Sequence, residues 1–154
     1  MFVVARATWS VLMFNPSREE VRRFFCEAWR KHRERLPLAG AEVAAADLIA
    51  QHPEYHALLE NPDAAIDQEF APEGGQMNPF LHLSLHLAIA DQISVDRPAG
   101  IRAAYHALRQ RLDVHEAEHA LLECLGETLW RAQREGATMN AEQYLECVRR
   151  TLNG

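Results

Sequence analysis

The chain has 154 residues, 48% of them hydrophobic and 25% charged, with a formal net charge of −6. That apolar fraction suits the core of one compact domain and excludes intrinsic disorder, while seven Gly and seven Pro exclude collagen-like or linker sequence. The negative balance argues against a nucleic-acid partner, because binding a polyanion usually wants a basic face.

The first fourteen residues, MFVVARATWSVLMF, are apolar-rich, but no run is long enough to span a membrane. Ala5-Arg6-Ala7 faintly resembles a signal-peptidase site, yet the apolar run ahead of it is too short for secretion. Met13 stands just before strong helix-start chemistry. Two readings are open: residues 1–12 are an extension upstream of a domain over residues 13–154, or they form a short segment packed on it.

Ser17 and Glu20 form a capping-box pattern, and Val21, Phe24, Phe25, Ala28 and Trp29 then recur at helical spacing until Leu36-Pro37. Arg18, Arg22, Arg23, Arg30, Lys31, Arg33 and Arg35 interleave with acids there and read as a solvated face. An Ala-rich helix follows over 41–51, then a short one over 53–60 that accepts Pro53 in its first turn. Residues 61–78 read as an irregular connection.

Asn78-Pro79 starts a helix to about Ile93 that is apolar almost all round, the mark of a central, buried element. Asp96–Gly100 turns into a helix ending near Arg111. Asp113 with Glu116 opens a long helix closed by Gly136, and Asn140 with Gln143 opens the last. No strand alternation is present. The prediction is an all-α bundle of five to seven helices in a single domain, with Trp29, Trp130, Tyr55 and Tyr144 as packing residues. Three Cys without CxxC spacing read as free thiols of a reducing, cytoplasmic compartment.

Eight His are present, and six fall into pairs four apart: His52/His56, His82/His86 and His115/His119. Random placement predicts about 0.4 such pairs, so the spacing carries information. On a helix, residues four apart share a face, close enough for two imidazoles to hold one metal ion. Burying His82 and His86 unbound in an apolar helix would cost a few kcal/mol. Pro53 interrupts the first pair and leaves His52 open to a capping role instead. Glu123 extends the His115/His119 stripe, and Glu60, Asp91 and Glu116 stand further back as carboxylate candidates. Six imidazoles plus carboxylates exceed one closed tetrahedral zinc site. The mixture favours iron over zinc or manganese, as one octahedral ion or two bridged by a carboxylate.

The stretches FNPSREEVRRFFCEAW, HPEYHALLE, NPFLHLSLHLAIADQISVDRPAGIR and HEAEHALLECLGETLWRAQREG together resemble a bacterial family of unknown function, DUF1841, from about Met13 to Leu152. The resemblance implies that all six paired histidines lie in the family's own motif blocks. It brings no activity with it.

The sequence thus predicts a histidine-rich metal-binding protein with His52, His56, His82, His86, His115, His119 and Glu123 as ligands. A dinuclear iron site would act on oxygen or peroxide, and a mononuclear zinc site would be hydrolytic or serve a carrier or sensor. The third reading is a non-catalytic interaction protein with structural His pairs and a protein partner or second copy.

Overall fold

A computed structural model of the chain describes residues 17–70 and 77–154. The reading of residues 1–12 lies outside the described residues. Among the described residues there are eight α-helices, one 3₁₀ turn and no strand. The all-α expectation holds, and the helix count exceeds five to seven because a short helix occupies part of the expected connection. The chain divides into two compact units, residues 1–88 and 89–154.

In the first unit, α1 (Arg18–Arg33) begins where the Ser17 hydroxyl accepts from the Glu20 amide at 3.0 Å. Glu19 and Glu20 occupy its first turn and Arg30, Lys31, His32 and Arg33 its last, so the charges oppose the helix dipole. Its apolar stripe buries Phe25, Ala28 and Trp29 against Ala45 and Ile49 of α2 (Ala41–Ala50). The small side chains of α2 suit close approach of the two backbones. A 3₁₀ turn (Pro53–Tyr55), α3 (His56–Leu59) and α4 (Pro62–Asp67) follow, and Leu59 and Ala65 join the same core. Each large apolar side chain buried there contributes about 1.5–3 kcal/mol.

Arg22 corrects the expectation of a uniformly solvated face on α1. It is buried, and its Nη1 donates to the carbonyls of Ala65 at 2.6 Å, Ile66 at 3.0 Å and Gln68 at 2.8 Å. These carbonyls end α4 without a glycine cap, so the guanidinium supplies the donors that the helix end lacks. The faces of Phe70 and Phe80 lie 5.3 and 5.0 Å from its central carbon, which gives the desolvated cation a favourable apolar enclosure.

Helix α5 (Pro79–Val95) starts as its sequence predicts: the Asn78 side chain accepts from the Phe80 amide at 2.9 Å, and Pro79 takes the first position. Its side chains from Leu83 through Ile89 are all buried, while Leu81 is exposed.

The second unit holds the end of α5 and three further helices, α6 (Ile101–Arg109), α7 (Val114–Glu135) and α8 (Ala141–Asn153). Asp113 and Glu116 form the full reciprocal capping box, and Gly136 closes α7 in the left-handed conformation at φ 63°. Asn140 accepts from the amides of Glu142 and Gln143 to start α8. The Tyr144 hydroxyl donates to Gln92 Oε1 at 2.7 Å in the buried interior.

Two expectations are corrected here. Cys124 on α7 and Cys147 on α8 form a disulfide, and only Cys26 is free. The two cysteines are 23 residues apart, and the packing of α7 on α8 brings their Cα atoms to 5.7 Å. The inference of a cytoplasmic compartment from free thiols therefore loses its basis. Trp130 is no packing residue either: it is 56% exposed, with the Arg134 guanidinium over its ring at 4.7 Å. No helix among the described residues is long and apolar enough to cross a membrane.

Candidate metal centre

His82 and His86 sit one turn apart on α5, as their spacing predicts, with ring centroids 4.7 Å apart. Asn78-Pro79 sets the register that turns both toward one neighbour. That neighbour is His52, 30 residues earlier in the chain.

His52 is not on a helix with His56. Pro53 opens a 3₁₀ turn, and His52 precedes it as the cap residue at φ −124°, ψ 69°. The expected shared helical face of His52/His56 therefore does not form. Instead, His52 Nδ1 lies 2.7 Å from the Leu48 carbonyl, and His56 Nε2 lies 2.7 Å from the Ile49 carbonyl. Only an N–H makes either contact favourable. The two imidazoles thus act as donors to the carboxy-terminal carbonyls of α2, which also accept from the Gln51 and His52 amides at 3.1 and 3.0 Å as the last turn tightens.

This assignment fixes the tautomer of His52. With its proton on Nδ1, the lone pair of Nε2 faces the other two rings. His82 Nε2 lies 3.3 Å from His52 Nε2 and 3.1 Å from His86 Nε2. Within the first unit, one ligand atom from each of His52, His82 and His86 falls within 4.8 Å of the others. His52 and His86 are buried, and His82 is half-buried.

Two short contacts converging on one imidazole nitrogen are hard to satisfy with hydrogen bonds. An sp² ring nitrogen carries either one proton or one in-plane lone pair, and so makes one linear hydrogen bond. A metal ion accepts all three lone pairs at once. Bond lengths of about 2.0–2.1 Å at tetrahedral angles put ligand nitrogens about 3.3–3.4 Å apart, and right angles bring them to about 2.9 Å. The observed 3.1 and 3.3 Å fall between these values. The three imidazoles could hold a metal ion.

The His56 ring stacks on Trp29 with centroids 4.3 Å apart, and the Trp29 indole donates to Glu60 Oε2 at 3.2 Å. Glu116 accepts from the Asp113 amide at 3.1 Å within the capping box. His115 and His119 are half-buried on α7 in the second unit, their rings 4.1 Å apart. Glu123, further along α7, is exposed. Asp91 is buried in the second unit, where desolvation raises its carboxyl above the usual range.

Sequence reasoning gave Tyr55 only a packing role. Its ring lies nearly parallel to His52, 3° apart in plane and 5.4 Å between centroids, and meets His82 edge-on at 6.0 Å. Burial, followed by the charge of Glu54, raises its phenol above the ordinary value. The signal was present in the run His52-Pro53-Glu54-Tyr55, because a 3₁₀ turn eclipses side chains three apart.

Neither a curated protein nor a solved structure matches the chain. A family model described as a domain of unknown function does match, over residues 17–150. Spanning nearly all of both units, that match makes the chain a member of the DUF1841 family.

Proposed function

We propose that this protein binds a single transition-metal ion through His52, His82 and His86. The observation that carries the proposal is the convergence of two other imidazole nitrogens on His82 Nε2, at 3.1 and 3.3 Å.

An all-imidazole donor set suits zinc, iron, copper or nickel, whereas manganese prefers carboxylate and carbonyl oxygen. The sequence-based preference for iron drew on carboxylates. Glu60 and Glu116 are engaged elsewhere and Glu123 is exposed, so one ion is favoured over a bridged pair. Three imidazoles leave a tetrahedral zinc one open position. Around six-coordinate iron they leave three positions for small ligands such as oxygen or peroxide. Neutral ligands leave the ion its full positive charge, which favours water or a small anion at any open position.

Elemental analysis of untagged protein, before and after incubation with zinc or iron(II), tests the proposal. About one ion per chain is expected, falling below about 0.2 in a His82→Ala/His86→Ala double variant. Equal metal content in wild type and double variant refutes the ligand assignment.

A further inference from the structure

The geometry points to Tyr55 as a positioning residue that holds the His52 ring in the orientation needed for metal binding, an inference that rests on the metal reading above. The hydrogen bond from His52 Nδ1 to the Leu48 carbonyl fixes one atom of the ring at 2.7 Å. It leaves the ring plane free to tilt about that contact. Tyr55 removes this freedom by lying 3° from parallel with the imidazole, while His82 and His86 meet His52 edge-on at 5.0 and 5.2 Å.

The local sequence builds the turn that carries this contact. Pro53 presets the backbone of the first turn position, and the Tyr55 amide donates to the His52 carbonyl at 2.9 Å, closing a four-residue turn. Side chains three apart in such a turn eclipse, so Tyr55 stands over His52. His-Pro-Glu-Tyr is thus one unit: a ligand, a turn and the flat surface that aims the ligand. What matters in this arrangement is the aromatic face rather than the hydroxyl.

Cobalt(II) is the probe, because its visible d–d bands report coordination geometry independently of any activity. Wild type and Tyr55→Phe are expected to bind cobalt with the same affinity and band shape. Tyr55→Leu, which fills the space without a flat face, is expected to weaken binding about tenfold and alter the bands. Tyr55→Met, with an unbranched and adaptable side chain, reads the same way should Tyr55→Leu lose helical circular dichroism. Wild-type bands and affinity in the Leu or Met variant overturn the inference while leaving the metal reading intact. So does a Phe variant as weak as Leu, since that assigns the role to the hydroxyl. Wild-type protein that takes up no cobalt, zinc or iron overturns both.

Discussion

Metal should stabilise this protein by an amount that follows from where its ligands come from. His52 lies in the turn after α2, and His82 and His86 lie on α5, 30 and 34 positions later. The unfolded chain does not hold these nitrogens together, so nearly all of the binding free energy appears as folding free energy. At free metal one hundred times the dissociation constant, the gain is about 2.7 kcal/mol. For a chain of this size each kcal/mol moves the midpoint by about 2–4 °C, so saturation should raise Tm by about 5–10 °C. Thermal melts followed by circular dichroism, with chelator and then with graded zinc or iron(II), give the measurement. The shift should grow logarithmically with free metal and vanish in the His82→Ala/His86→Ala variant. A Tm independent of metal across that range, or an equal shift in the variant, refutes the argument.

Two further outcomes test other parts of the chain. Burial raises the Asp91 carboxyl, so the native state keeps its proton at pH values where the unfolded chain has lost it. Stability therefore falls as pH climbs from the unfolded value of about 3.9 through the raised folded value, and stays lower above it. Asp91→Asn should stabilise at neutral pH by an amount on the order of 1 kcal/mol and do little at the acid end. A urea series across pH that shows destabilisation throughout would contradict this. For the disulfide, closing a loop of 23 residues is worth about 3 kcal/mol in chain entropy, so Cys124→Ser/Cys147→Ser should melt about 6–12 °C lower in non-reducing buffer. An unchanged melt, or two free thiols there by mass after alkylation, argues against the bond in solution.

Local rules made the helices readable, and distance in the chain hid most of the rest. Asn78-Pro79, the Asp113/Glu116 box, Gly136 and Asn140 all act within a few residues of where they stand, and each performs the predicted task. The His82/His86 pair was legible for the same reason, being carried on one uninterrupted helix. Spacing alone put His52 and His56 on a shared helical face, but Pro53 opens a 3₁₀ turn and His52 takes the capping position that the sequence also allowed. The partner of His52 is set by packing between residues 30 apart, which no periodicity encodes. Arg22 shows the same limit: within α1 it reads as one more exposed cation, and only α4 and the rings of Phe70 and Phe80 give it a buried place. Glu123 keeps the right interval from His119, yet its side chain is exposed.

The loss of His56 from the proposed ligands does not make it incidental to the centre. The carbonyls of Leu48 and Ile49 stand at the negative end of α2, and His52 and His56 each engage one of them. For His52 that carbonyl does what a second-layer carboxylate does in many metal sites: it holds the proton on Nδ1 and makes Nε2 a better donor. His56 occupies the neighbouring carbonyl and packs its ring on Trp29, which ties the end of α2 to α1. The helix end is therefore held from two sides, by one imidazole facing the proposed ion and one facing the core. A carbonyl pair supplies partial negative charge without a formal anion, which lets an all-imidazole centre accept a cation while leaving the ion's own charge available to an incoming ligand.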